Sequence, residues 1–259
     1  MCCAVFICNR LNVKFNVRSL KGERIWLIMK ISVALAAYKG EKYIGGQIKS
    51  ILAQLPPDGE IIVSDDLPGG ETAREVARAA DGDSRVKYIE GPGKGVCANF
   101  EHAVRACSGD VIFLSDQDDV WLPEKVGSVM KEFENGADVV LHDAFVTDAF
   151  LEIKEESFFK AHSSKSGFAA NLIRNSFVGC CMAMTKEVAD MCLPFPDGLP
   201  MHDWWIALLA LKRRKKVVLL PERLIYWRRH ENTVTGKKNS LAQQLKWRAK
   251  MIILLIERK

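Results

Sequence analysis

Residues 110–125 read DVIFLSDQDDVWLPEK, and the switch inside them from an apolar run to an acidic cluster decides the fold. Val111 to Leu114 are uninterrupted apolar residues, the pattern of a strand buried on both faces. Ser115-Asp116-Gln117-Asp118-Asp119 then ends the strand with three carboxylates in four residues. Such a concentration of charge at the end of a buried strand is costly unless a cation sits beside it. A plainer reading, an acidic turn capping the helix that opens at Pro123, uses the same residues.

Moving outward, the same unit repeats on the N-terminal side. Residues 30–37 (KISVALAA) form a first strand, followed by a turn at Tyr38-Lys39-Gly40. Ile44, Ile48, Ile51, Leu52 and Leu55 recur at helical spacing until Pro56-Pro57. Residues 60–64 (EIIVS) form a second strand ending at Asp65-Asp66, and Ala73, Val76, Ala77 and Ala80 mark a helix. A third strand (86–90, VKYIE) leads through GPGKG to a helix carrying Val96, Phe100, Ala103, Val104 and Cys107. Strands alternating with helices predict βαβ units and a parallel α/β sheet, whose ligands bind beyond the carboxyl ends of the strands. Tyr38, Asp65, Asp66 and the Asp116–Asp119 cluster all fall there. On the C-terminal side the pattern loosens: strands are predicted at 137–143, 177–184, 216–220 and 223–228, and helices at 203–213 and from Ser240 onward, where Ser240 and Gln243 make a capping box.

Composition excludes several classes. The chain has 259 residues, 48% of them hydrophobic and 27% charged, the balance of a folded domain rather than a disordered or fibrous chain. Its 37 Lys and Arg against 32 Asp and Glu give a net charge of +5, too mild to argue for nucleic acid. No apolar run approaches the ~18 to 20 residues of a membrane-spanning helix. Eight cysteines contain no C-x-x-C pair, and reduced thiols in a cytoplasmic protein are expected.

The motifs narrow the chemistry. Oxygen ligands at Asp116, Asp118 and Asp119 suit Mg²⁺, Mn²⁺ or Ca²⁺. A calcium loop counted from Asp116 would need Gly and Glu where Trp121 and Gly127 stand, so that reading fails. The Gly91–Gly95 loop lacks the third Gly of a dinucleotide fingerprint, because Val96 is there, and lacks the Ser or Thr after Lys of a phosphate loop. It reads as a flexible entry to a helix with Lys94 near phosphate. In His202-Asp203-Trp204-Trp205, Asp203 is either a helix-start acid or a general base among indoles. Arg228-Arg229-His230 is either a solvated basic turn or an anion clamp whose His ligates metal.

In order, KISVALAAYKGEKYIGGQIKSILAQ, EIIVSDD, GKGVCANFEHAV, GDVIFLSDQDDVWLPEKV, MHDWWIALLAL and YWRRHENTVTG resemble the inverting family-2 glycosyltransferases, most closely their bacterial rhamnosyltransferase-like members. The resemblance runs from about residue 30 to 236. It implies a GT-A fold: one α/β domain with a Rossmann-like, mostly parallel central sheet flanked by helices. It implies that Ala36 and Tyr38 line the nucleotide pocket, Asp66 contacts the base, and Lys94, Asp116 and Arg228 complete donor binding. Asp118, Asp116 and His230 are implied as ligands of Mn²⁺ or Mg²⁺, and Asp203 as the catalytic base. The reaction implied moves a sugar, rhamnose being one candidate, from a nucleotide-sugar donor to a saccharide or lipid-linked acceptor with inversion, in cell-surface polysaccharide synthesis. The chain departs from the family pattern at Ala36, at Lys39 and at Leu67-Pro68-Gly69-Gly70, where Thr, Asn and a Gly-Ser-rich turn are usual. The competing classes are a nucleotidyltransferase, for which AAYKGEKY lacks the Gly-rich basic loop, and a nucleotide-sugar-binding protein without catalysis.

Two flanking segments carry their own expectations. Residues 1–28 do not match the composition that follows and are read as an extension preceding the domain at 29–236. Residues 237–259 are read as a basic amphipathic helix, Lys237, Lys238, Lys246, Arg248, Lys250, Arg258 and Lys259 beside Leu241, Leu245, Ile252 and Ile256. That pattern predicts peripheral contact with the inner face of a membrane.

Overall fold

A computed structural model describes residues 29–231 and 240–258. The expectations for residues 1–28 and for Lys237, Lys238 and Lys259 lie outside the described residues. In chain order the first half runs β1 (Ile31–Ala37), α1 (Ile44–Leu52), β2 (Glu60–Asp65), α2 (Glu71–Ala80), β3 (Val86–Glu90), α3 (Val96–Ala106) and β4 (Val111–Asp116). Then follow β5 (Val120–Trp121), α4 (Lys125–Glu134), β6 (Val139–Thr147), β7 (Ile153–Glu155), α5 (Phe158–His162), α6 (Phe168–Ile173) and β8 (Met182–Thr185). The last elements are α7 (Lys186–Cys192), α8 (His202–Lys212), β9 (Val217–Arg228) and α9 (Leu241–Glu257).

All strands join one sheet in the order β3-β2-β1-β4-β8-β6-β9-β5, with β7 on β6. Strands β1 to β4, β6 and β9 run one way and only β5, β7 and β8 run against them, so the sheet is mostly parallel. Its side chains alternate between two cores with the strand period of two. Ile31, Val33, Leu35, Val63 and Phe113 face α1, α2 and α4. Ala34, Ile62, Ile112 and Leu114 face α3, α7, α8 and α9. Helix α8 is buried at every position from His202 to Ala210, which explains a sequence that is apolar all round rather than striped. Helix α9 covers it through Met251, Leu254 and Leu255, in the same core.

Three expected boundaries move, each for a local reason. The strand expected over 177–184 is confined to Met182–Thr185, because Gly179–Cys181 wind into a 3₁₀ turn. The strands expected at 216–220 and 223–228 are one strand: Leu220 pairs with His142 and Arg223 with Asp143, so Pro221 and Glu222 are skipped as a bulge. Proline lacks the N–H that pairing would need. The helix expected from Pro123 starts at Lys125, with Pro123 in the turn before its Glu124 cap.

Candidate active site

The parallel register brings three strand ends together. Ala36 pairs with Ser64 on one side and Asp116 on the other, and Ala37 pairs with Asp65. Asn99 fastens this edge from α3: its Nδ2 donates to the carbonyls of Ala37 (3.0 Å) and Ser64 (2.9 Å), and its Oδ1 accepts from Ser64 Oγ (2.6 Å). Gln117 fastens the next loop, accepting from Tyr38 N–H (2.8 Å) and donating to Tyr38 carbonyl (2.9 Å). The Tyr38 ring is left exposed at the mouth.

The paired acids at the end of β2 have different tasks. Asp65 is fully buried, accepting from Tyr88 Oη and Leu67 N–H. Asp66 accepts from Gly93 N–H with one oxygen and Gly95 N–H with the other, each at 2.7 Å. Gly93 and Gly95 have φ of 66° and 89°, a backbone that side chains disfavour, and this turns both N–H groups onto one carboxylate. Lys94, between them, is exposed at the same rim.

A buried cation lies close enough to the acidic loop to act on its carboxylates. Lys125 is fully buried, donates from Nζ to Cys180 carbonyl (2.9 Å) and lies 4.0 Å over the Trp121 ring. Burial lowers its pKa to about 8, with Asp119 and Asp116 among the groups opposing that fall. Burial and the neighbouring carboxylates, Asp119 first, push Asp116 well above the ordinary range. Burial and Asp118 raise Asp119 to about 7. Asp119 Oδ1 accepts from Arg228 N–H (2.9 Å), while Oδ2 is buried without a hydrogen-bond partner. Asp118 Oδ2 lies 2.7 Å from His230 Nε2.

These groups fit a divalent cation. An orphaned buried carboxylate oxygen, and neighbouring carboxylates whose charges raise the pKa of Asp116 and Asp119, are both relieved by one, and His230 beside Asp118 adds a nitrogen donor. Ligand atoms of Asp116, Asp119 and Cys180 lie within 4.8 Å of one another. Burial pushes the Cys180 thiol far up, so it stays protonated and the hard carboxylates define the donor set. Arg228 extends its Nε to Asp118 carbonyl (2.7 Å) and Nη1 to Ala149 carbonyl (2.5 Å), with its guanidinium 4.6 Å over the Tyr43 ring. Its visible work is therefore to shape the acidic loop.

On the α8 side, Asp203 sits in the first turn of the helix, 5% exposed. It accepts from Gly179 N–H (3.1 Å) and Trp204 N–H (2.6 Å), yet burial raises its pKa to about 6. Its charge is felt at Asp116. The 3₁₀ turn at Gly179–Cys181 thus ties the two halves, offering an N–H to Asp203 and a carbonyl to Lys125. A Cβ at Gly179 would stand 2.8 Å from His202 Nε2. His202 stacks on Phe100 at 4.0 Å, and burial drives its pKa to about 3, so it is neutral.

The contacts join the residues singled out from the sequence into one edge: Ala36 and Asp116 by register, Tyr38 through Gln117, Lys94 through the loop on Asp66, Arg228 and His230 on the acidic loop, and Asp203 through the Gly179–Cys181 turn. Asn99, Gln117, Lys125, Gly179 and His202 were not singled out as site residues. Two carry a signal in hindsight of their position: Lys125 interrupts an apolar helix face, and Gly179 interrupts an apolar run where a close approach needs no side chain.

Residues 32–191 match the family model described as "Glycosyl transferase family 2". The chain is similar to an uncharacterized glycosyltransferase of Nostoc sp., at 25% identity over 78% of this chain and 65% of that protein. It is 24% identical to the dTDP-rhamnosyl transferase RfbG of Shigella flexneri over 82% of this chain and 77% of that one. Among solved structures, S. aureus TarS 1-349 in complex with UDP-GlcNAc superposes with a TM-score of 0.64 at 18% identity, covering 87% of this chain and 67% of that one. The mannosyltransferase PcManGT from Pyrobaculum calidifontis, in complex with GDP-Man and Mn²⁺, gives 0.58 at 16% identity, covering 89% and 64%. The chain spans about two thirds of the length of several of these proteins. The fold is that of the GT-A glycosyltransferases, and with a family match across more than half its length the chain belongs to glycosyltransferase family 2.

Proposed function

We propose that the protein transfers a sugar from a nucleoside-diphosphate donor to a hydroxyl of a saccharide or lipid-linked acceptor, with inversion, in cell-surface polysaccharide synthesis. The observation that carries the reading is the 3₁₀ turn at Gly179–Cys181, which links a buried Asp203, its pKa near 6, to Lys125 beside the acidic loop at the carboxyl ends of the parallel strands. A carboxylate that titrates there is basic enough to accept a proton and ionised at neutral pH. Acceptor oxygen attacks the anomeric carbon as its proton passes to Asp203. The bond from that carbon to the diphosphate oxygen breaks on the opposite face, and the nucleoside diphosphate leaves with the electron pair.

Asp118, Asp116 and His230, with the unpartnered Asp119 Oδ2 beside Asp116, would hold Mn²⁺ or Mg²⁺, which supplies charge neutralisation to the departing diphosphate. The chain's own contribution is orientation. Gln117 positions the Tyr38 turn against the acidic loop, Asp66 holds the glycine loop bearing Lys94, and Arg228 fixes the backbone of Asp118. A rhamnose donor is supported by the similarity to the Shigella enzyme. A thermal-shift panel of nucleoside diphosphates and nucleotide sugars, with and without Mn²⁺ or Mg²⁺, tests the reading. The expected result is a metal-dependent rise in Tm with one nucleotide series; no shift with any of them contradicts it.

A further inference from the structure

We infer that the outward face of α9, with Ile173 of α6 beside it, is a docking surface for an anionic lipid bilayer that sets the Asp203 side of the site at the membrane; this rests on the reading above, in which that side receives the acceptor. Helix α9 turns only one of its faces into the core. Leu241, Leu245, Ile252 and Ile256, at helical spacing, are 78%, 63%, 41% and 71% exposed, and Ile173 is 67% exposed. A contiguous row of large aliphatic side chains left to water marks an interaction surface. The expectation that the helix offers its basic residues to the membrane is refined here. Arg248 turns inward to Ile173 carbonyl (2.8 and 2.6 Å) and Arg258 to Met191 carbonyl (2.8 Å), fastening α9 to the domain and leaving the apolar row outward.

Charge selects the partner. Residues 157–186 and 240–256, which meet at Arg248 and Ile173, contain four and three Lys or Arg respectively and no Asp or Glu before Glu257 at the far end of α9, although the whole chain is nearly balanced at 37 against 32. A second copy docked on this face would bring like charges together. An anionic headgroup layer complements them, and the aliphatic row suits the boundary beneath it. No described helix is long and apolar enough to cross a membrane, so the contact is with its surface.

The surface also has a fixed relation to the site. Trp204, next to Asp203, donates from Nε1 to Asn171 carbonyl (2.9 Å), two residues before Ile173, which Arg248 holds. The N-terminal half of α9 therefore stands on the side of α8 that bears the base. An acceptor with a lipid anchor would have its sugar end presented there.

Flotation of the full chain with vesicles tests this. Vesicles of equimolar phosphatidylglycerol and phosphatidylcholine should carry the wild type upward, and phosphatidylcholine alone should not. Leu245→Glu with Ile252→Glu should lower partitioning by about tenfold or more, and Ile173→Glu, on a separate element, should lower it as well. Arg74→Glu on α2, the same change in net charge as the double variant, should float like wild type. Metal-dependent thermal shifts by nucleotide sugars should persist in all three variants, which separates loss of docking from failure of the transferase reading. Wild type remaining unbound, or a double variant that floats normally, overturns the proposal. So does a wild-type dimer that the double variant dissolves, since the face would then belong to a second copy.

Discussion

At the scale of single residues, Asp203 should be a group whose loss makes the protein more stable and less active. Its carboxyl is held at about 6 against an ordinary 3.8. The folded state thus binds its proton more tightly than the unfolded chain does. Its contribution to stability is full below about pH 4, falls as pH rises to 6, and stays lost above. Asp203→Asn should therefore raise stability at pH 8 by up to about 3 kcal/mol, with the gain vanishing toward pH 4; urea titrations at both values check it. In wild type, kcat/KM should climb with pH through about 6. Lys39 offers a smaller test. It sits at φ 52, a left-handed backbone where Asn is better tolerated than Lys. Lys39→Asn should gain about 0.5–1 kcal/mol in the same titrations. Asp203 and the acidic loop were legible in the sequence because carboxylates interrupting apolar patterns stand out. Asn99 and Gln117 were not, because amides that bond to backbone leave no pattern until the chain is folded.

At the scale of elements, the first half read cleanly and the second did not. Strands β1, β2 and β4 are buried on both faces, so they appear as unbroken apolar runs bounded by turns. The stretch from β6 to α7 is built of short helices, an antiparallel pair and a 3₁₀ turn, none of them long enough to show a period. That turn is the element on which the site depends. Gly179→Ala would drive a Cβ to within 2.8 Å of His202 Nε2 and shift the N–H held by Asp203. Expected are a loss of about 1–3 kcal/mol and a fall in turnover, with metal-dependent donor binding retained. Helix α4 carries the opposite test. Lys125→Met leaves the Cys180 carbonyl without its donor and removes a positive charge that lowers the pKa of Asp116 and Asp119, costing about 1–3 kcal/mol. Mn²⁺ should then raise the Tm of the variant further than it raises that of wild type.

For the whole molecule, the architecture explains why one sheet edge holds everything. Parallel β1, β2 and β4 deliver the donor-side groups, and β8 with its turn brings α8, and so Asp203, against them. Residues 1–28 precede the first strand, and a chain beginning at Met29 should fold and bind donor like the full one. The central claim is the division of labour between the acidic loop and Asp203. It is tested by titrating nucleotide sugar in the presence of Mn²⁺ into Asp118→Ala and Asp203→Asn, and measuring turnover of both on the same acceptor. Asp118→Ala should lose donor binding and transfer together. Asp203→Asn should bind donor as wild type does and turn over about 10²-fold more slowly or worse. Normal turnover by Asp203→Asn, or normal metal-dependent donor binding by Asp118→Ala, would contradict the account.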